Sequence, residues 1–214
     1  TPHAQLEVHT PAIGRSGALS VAAAVATVES LLGRALTQDE VQVALDRAAL
    51  TREPRLVAAQ LAQGTIVLED RTDATPSSLR AALEAAAELA RSKATRLVVV
   101  LGEMRELGRL GASEHGAVGA RAAALGVAAL VTVGAATRSA ASEALARGIE
   151  SWTVTDVPGG IQRALRVVQP GDVVLVAGGA ALGISAIAGA IVARDLARAD
   201  VPRLQLDSSR VDTP

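Results

Sequence analysis

Phenylalanine, tyrosine, asparagine and cysteine are absent from this chain of 214 residues, and lysine, methionine and tryptophan occur once each, as Lys93, Met104 and Trp152. The lack of cysteine excludes disulfides and thiolate metal sites. It fits a reducing compartment, and the expected localisation is cytoplasmic. Without Phe or Tyr, the core must be built from Leu, Val, Ile and Ala, so it forgoes the large buried area of aromatic rings and is expected to be soft. The scarcity of Phe, Tyr, Asn and Lys, whose codons are AT-rich, is expected of a very GC-rich genome. Charge of one sign is also lacking: the formal net charge is −1 and the isoelectric point is near 6.3. With no basic stripe, nucleic acid is not expected as a partner. No signal-peptide pattern follows Thr1, and the chain reads as a fragment or a trimmed piece. Val173 to Ala193 is uncharged and long enough to cross a bilayer, but Gly178, Gly179, Gly183 and Gly189 interrupt it. It reads as strand, loop and helix, and no membrane partner is expected.

What is present is half hydrophobic, enough for one good core or for one domain and part of another. Gln5 to Thr10 alternates and predicts the end of a strand. Gly17 to Leu32 is Ala-rich with helical spacing and stops at Gly33. Thr37 to Glu40 reads T-Q-D-E, a capping box that opens a second helix ending near Ala49. The polar stretch Thr51 to Pro54 reads as a linker. Arg55–Leu61 and Thr65–Glu69 predict two strands joined by a turn at Gln63-Gly64. Pro76 opens a helix over Ser77–Arg91. Strands at 97–101, 129–133, 151–154 and 172–176 then alternate with helices at 112–125, 139–146, 160–168 and 181–197. That alternation of continuous apolar runs with helices predicts an α/β fold, a Rossmann-like and mainly parallel sheet flanked by helices. Three regions follow: 1–52, two helices and a strand too small to bury a core alone; 53–198, the α/β domain; and 199–214, a polar tail.

Three segments carry a resemblance. The strongest is Leu97 to Gly119, LVVVLGEMRELGRLGASEHGAVG: a buried-strand run ending in Gly102, an acidic loop punctuated by glycine, then a helix with His115. The second is Thr65 to Leu83, where a strand ends in Asp70 and leads through Ala74 and Pro76 to Ser78. The third is Pro170-Gly171-Asp172 followed by Val173-Val174-Leu175-Val176. In order and spacing they resemble the C-terminal region of the Mur ligases, in particular the branch that adds D-alanyl-D-alanine. The likeness runs from about Leu6 to Leu196.

The resemblance implies an ATP-dependent amide ligase of peptidoglycan precursor synthesis. In that reaction ATP and Mg²⁺ convert a carboxylate to an acyl phosphate, which an incoming amine attacks. The implied partners are a UDP-linked muramyl peptide and D-alanyl-D-alanine, and a missing N-terminal half or partner chain. Residues 1–52 correspond to the end of the family's central ATPase domain. No G-x-x-x-x-G-K-[ST] loop occurs here, so this chain alone is expected to be inactive.

Departures from the family pattern are as informative. Its Gly-x-His-Asn-x-x-Asn segment is Gly14-Arg15-Ser16-Gly17-Ala18-Leu19-Ser20 here, with no side-chain amide left to read a base edge. Its Asp-Ser-Tyr-Asn-Ala-Asn-Pro segment keeps only Asp70, Ala74 and Pro76. Its Lys-Gly-Ser is Ala177-Gly178-Gly179, so a cation is lost. The candidates for nucleotide binding are Arg55, Asp70 and Asp73, with Asp70 accepting a ribose hydroxyl; the plain readings are a solvated linker arginine and a turn-forming strand-end aspartate. Such an aspartate is expected to be exposed and its loss to cost little stability. Gly178 and Gly179 are candidates for the side of the amino substrate, and with Gly183 they alternatively form a phosphate cradle or a close helix–sheet contact. Glu103, Glu106 and His115 sit in the best-matched block. The glutamates, with Arg105, read as an interface charge cluster or a solvated loop, and His115 as a general base or a packing residue. His3 and His9 are too far apart for a metal site, and Trp152 is expected in a strand of the core or its edge. Two alternatives to a working ligase fragment stay open: a non-catalytic paralogue serving as an interaction or regulatory module, and a simple nucleotide-binding domain using the Gly178–Gly183 loop.

Overall fold

A computed structural model of the chain describes residues 5–10, 13–51, 55–70, 74–179 and 182–199. Two helices come first, α1 (Gly14–Leu32) and α2 (Gln38–Thr51). The sequence signal for α2 is realised in full. Thr37 Oγ1 accepts from Glu40 N at 3.2 Å, and Glu40 Oε2 accepts from Thr37 N at 2.9 Å. Arg34 adds a bidentate pair to the same carboxylate, and its guanidinium and the Thr37 amide hold the Glu40 carboxyl down at about 2.

The expected strand near Gln5–Thr10 is not formed: residues 5–10 have no regular secondary structure and are bonded to side chains of α2. Their backbone is satisfied by side chains instead. Gln42 Oε1 accepts from His9 N at 2.8 Å, and Gln42 Nε2 donates to His9 O at 3.0 Å. With Gln38 Oε1 accepting from Glu7 N at 3.4 Å, three glutamine-borne bonds do for this segment what a neighbouring strand does elsewhere.

The remaining elements are β1 (Leu56–Gln60), β2 (Ile66–Asp70), α3 (Pro76–Ser92), β3 (Leu97–Gly102), α4 (Gly111–Ala124), β4 (Ala129–Val133), α5 (Arg138–Leu145), β5 (Glu150–Val154), α6 (Val157–Val167), β6 (Val173–Ala177) and α7 (Ser185–Ala199). They form one six-stranded sheet in the order β1-β2-β6-β3-β4-β5. β1 pairs antiparallel with β2 in a hairpin; every other pairing is parallel. The fold is therefore the expected mainly parallel α/β sheet with helices on both faces. Alternate residues divide the core between the faces. Val99, Leu101, Leu68 and Leu175 pack with α3, α4 and α5, while Val98, Val100, Val174 and Val176 pack with α6 and α7. Leu, Val, Ile and Ala dominate both sides, joined by Met104, as the missing aromatics require.

Two helix starts differ from the sequence reading. α6 begins at Val157 rather than Gly160, because Asp156 caps it, accepting from Gly159 N at 2.8 Å, and Pro158 occupies the first turn. α7 begins at Ser185, since residues 182–184 form a separate tight turn. The apolar run from Val173 thus divides into β6 and α7. Among the described residues no helix is long and apolar enough to cross a membrane. The tail from Asp200 lies outside the described residues.

Registers align the C-terminal ends of the parallel strands along one edge: Asp70 faces Ala177, Leu101 faces Ala177, and Gly102 faces Val133. That edge is where ligands bind in open α/β sheets. The helices α1 and α2 reach this same edge, α1 packing on α3.

Candidate functional site

A cavity of about 670 Å³ lies where α1 and α2 meet the β1–β2 hairpin and the start of α3. Three segments distant in sequence converge on it. Ser16, Gly17 and Ser20 come from the first turns of α1; Arg55 and Asp70 flank the hairpin; Thr75, Ser77 and Ser78 open α3. Ile13, Val21, Leu45 and Leu56 add an apolar part to its lining.

The hairpin register positions the charged pair. Leu56 lies opposite Asp70, so Arg55 arrives beside the Asp70 carboxylate. Arg55 Nε and Nη2 donate to Asp70 Oδ2 at 3.3 and 3.1 Å. The Asp70 side chain is fully buried, whereas that of Arg55 is 45% exposed. This corrects the expectation of an exposed strand-end aspartate. A carboxylate sealed at that depth requires compensation, and the guanidinium provides part of it. Asp73, the third candidate, lies outside the described residues.

The hydroxyls of the cavity are largely engaged with the chain itself. Thr75 Oγ1 accepts from Ser78 N at 3.2 Å and Ser78 Oγ accepts from Thr75 N at 2.9 Å, a reciprocal cap on α3. Ser20 Oγ donates to Ser16 O at 3.0 Å. Sequence reasoning identified Ser78 only as a family position and missed Thr75 and Ser77; the T-x-x-S spacing before an Ala-rich helix was the available signal. It also missed the apolar walls, which come from three separate elements.

Gly178 and Gly179 lie at the same sheet edge but not in this cavity. A Cβ on Gly178 would stand 2.7 Å from Gly102 Cα, so the backbone just past β6 touches that at the end of β3. Gly179 N donates to Glu103 O at 3.0 Å. Glu103 also accepts from Ala136 N through Oε1 at 2.9 Å, tying the loop after β3 to the loop after β4. Glu106 is exposed and has a left-handed backbone, with φ of 62°. His115 is fully buried. Its Nε2 accepts from Met104 N at 3.0 Å, which leaves the ring proton on Nδ1, 2.7 Å from Gly111 O. Both ring nitrogens are thus occupied in holding the loop against α4, and neither is free to act as a base. The best-matched block fastens three strand ends together and does not present reactive groups to the cavity.

Among the described residues no cluster of three or more His, Asp or Glu side chains is placed to hold a metal ion. Asp70 is the one carboxylate on the described cavity wall. Arg55, paired with Asp70, and the apolar Ile13, Val21, Leu45 and Leu56 line the same cavity. Among the described residues, nothing on these walls forms a nucleophile–base pair.

A profile of the family described as Mur ligase, glutamate ligase domain, matches residues 54–180. Among curated proteins, the UDP-N-acetylmuramoyl-tripeptide–D-alanyl-D-alanine ligase of Mycobacterium leprae is 35% identical over 170 residues, covering 72% of this chain and 33% of the relative. The enzyme of the same name from Mycobacterium tuberculosis (strain CDC 1551 / Oshkosh) is 32% identical over 210 residues, covering 90% of this chain and 41% of the relative. The chain therefore spans between a third and two-fifths of the length of these relatives. Among solved structures, MurF from Acinetobacter baumannii matches with a TM-score of 0.69 at 22% identity, over 87% of this chain and 40% of the other. The MurF ligase from Thermotoga maritima in complex with ADP matches with a TM-score of 0.63 at 18% identity, over 86% and 39%. At these identities the structural matches establish the fold alone.

Proposed function

The chain belongs to the Mur ligase family through its C-terminal domain, and on that premise we propose that it is the C-terminal portion of an ATP-dependent ligase that adds D-alanyl-D-alanine to a UDP-linked muramyl tripeptide in peptidoglycan synthesis. The observation that carries this reading is the convergence of Ser16–Ser20, Arg55–Asp70 and Thr75–Ser78 on one cavity. Of these, Gly14–Ser20 and Asp70–Pro76 stand where the resemblance puts family segments near a nucleotide, and Arg55 was a candidate beside them. In this reading residues 1–52 are the end of the ATP-binding domain and 53–198 the domain that receives the amine, with Gly178 and Gly179 on the side of the amino substrate.

The described residues offer an apolar lining and a guanidinium for the nucleoside part of ATP, and no cluster for its metal. The apolar walls hold the base, Arg55 orients an anionic or hydroxyl group, and Asp70 fixes Arg55. ATP, when bound, supplies the phosphoryl group that activates a carboxylate; the Gly-rich loop and lysine that position it are not among these 214 residues. By itself the chain holds one wall of a site and does not turn over ATP.

A second reading, a non-catalytic module, has one observation in its favour: the Ser20 and Ser78 hydroxyls are spent on the backbone, and no side-chain amide lines the described cavity. Titrating the chain with ADP by calorimetry, with Ser20→Phe as the blocked variant, separates the two. Weak saturable binding, lost in the variant, supports the ligase fragment. No heat at millimolar ADP overturns the nucleotide site and leaves the non-catalytic module.

A further inference from the structure

A second hollow, of about 520 Å³, opens at the opposite end of the sheet, where the parallel strands begin. Arg96 precedes β3, Glu150 starts β5, and Gln169 precedes β6; Arg163 and Arg166 come from the last turns of α6. Three guanidiniums and one carboxylate therefore share one small concavity in a protein whose overall charge is −1.

One of these arginines is held by a contact that leaves its hydrogen-bonding capacity, and a second stands near a carboxylate without a hydrogen bond to it. The Arg163 guanidinium lies over the Trp152 ring, 5.0 Å from its centroid, a contact through the π-face that leaves the N–H fork available. Arg96 Nε stands 3.8 Å from Asp172 Oδ1, beyond hydrogen-bond reach. Asp172 is buried and accepts from Gln169 N at 2.9 Å. Among the described residues neither Arg163 nor Arg166 has a carboxylate partner, and Glu150 makes no ion pair with any of the three. Just beyond the hollow, Arg194 is already committed, donating to Leu165 O and Val168 O at the end of α6. It adds positive charge without competing for a ligand.

We propose that this hollow is a binding site for a phosphate-class oxyanion, gripped by Arg96, Arg163 and Arg166 against the edge of Trp152. Planar guanidiniums match phosphate oxygens bidentately, and the Arg163 fork is already held over Trp152 before a ligand arrives. The site is independent of the nucleotide cavity, which lies at the other end of the strands.

Trp152 makes the proposal directly measurable. It is the sole aromatic residue of the chain, so the intrinsic fluorescence of the protein reports this hollow and no other region. Inorganic pyrophosphate titrated at constant ionic strength should change the emission saturably, with half-saturation at roughly millimolar concentration. Glycerol 2-phosphate as a second probe distinguishes an esterified phosphate from the free ion. Arg166→Gln, which leaves the Arg163–Trp152 contact in place, should weaken binding by about five-fold. Arg138→Gln, at the exposed first residue of α5, should leave it unchanged. No saturable change in the folded parent chain, or equal weakening by the two variants, would overturn the site.

Discussion

Asp70 is sealed from solvent at the end of a strand, and its carboxylate is met by a guanidinium that is itself half in water. Deleting the carboxylate leaves Arg55 free to hydrate, but it also opens a buried polar position and releases the start of the β1–β2 hairpin. Asp70→Ala is therefore expected to lower unfolding free energy by about 1–3 kcal/mol. Arg55→Ala should cost a comparable amount, because it strips a buried carboxylate of a charged donor. The double variant should cost less than the sum, since both remove one shared interaction. Urea denaturation of the three variants checks this. A loss within about 0.5 kcal/mol for Asp70→Ala would return the residue to an ordinary exposed turn former. The burial of Asp70 was not legible from its own strand, whose pattern simply ends there. It follows from the antiparallel register that brings Arg55 alongside, a relation between two strands. The same holds for His115. Its helix was readable, but its contact with the Met104 amide depends on how an irregular loop folds back.

At the scale of elements, much more was written locally. The apolar strands that became β3, β4 and β6 could be read because burial on both faces demands runs dominated by Val, Leu and Ala, whereas β5, ESWTV at the sheet edge, is only partly buried. The caps at Thr37 and the Pro at the start of α3 also carried their own chemistry. The misplaced start of α6 had a legible cause in Asp156 and Pro158. The missing strand at residues 5–10 did not, since nothing in an alternating segment says that glutamine side chains of α2 will take its backbone bonds. How closely two helices approach is likewise set by single positions. α4 and α5 touch at Gly119, where a Cβ would stand 2.1 Å from Ala140 O and 2.8 Å from Ala140 Cα. Those atoms are backbone and cannot swing aside. Gly119→Ala should therefore destabilise the protein by about 1–3 kcal/mol despite the better helix propensity of alanine. Gly189→Ala in α7, where nothing lies within 4 Å, isolates the propensity effect and should stabilise by up to about 1 kcal/mol. Thermal or urea unfolding of the two variants gives opposite signs if steric approach, and not helix propensity, governs the α4–α5 contact.

Taken whole, the molecule has two chemically distinct poles. The C-terminal ends of the strands carry the apolar cavity and the interlocked glycine loops. The N-terminal ends carry arginines around Asp172, and pH acts on stability through that second pole. Burial raises the Asp172 carboxyl above its ordinary value of 3.8, outweighing the Gln169 amide and the charges of Arg96 and Arg194. The native state therefore holds this proton more tightly than the unfolded chain does. The resulting stabilisation is complete below 3.8 and is lost as pH rises through the raised folded value. Glu40 works in the opposite sense. Held at about 2 against an ordinary 4.5, it contributes stability that is present above 4.5 and disappears as pH falls toward 2. Because Glu40 is at the surface, its share is small and sensitive to salt. Asp172→Asn keeps an oxygen to accept from Gln169 N while removing the ionisation. Relative to the parent, the variant should gain stability as pH rises from 3.8 toward neutrality, and urea midpoints measured across that interval test it. Parallel curves would mean that Arg96 and Arg194 compensate the buried charge fully. The arginines of that pole would then be occupied from within, with less of their field left for an outside anion. The pH dependence of folding and the phosphate affinity of the hollow are thus two readings of one charge balance.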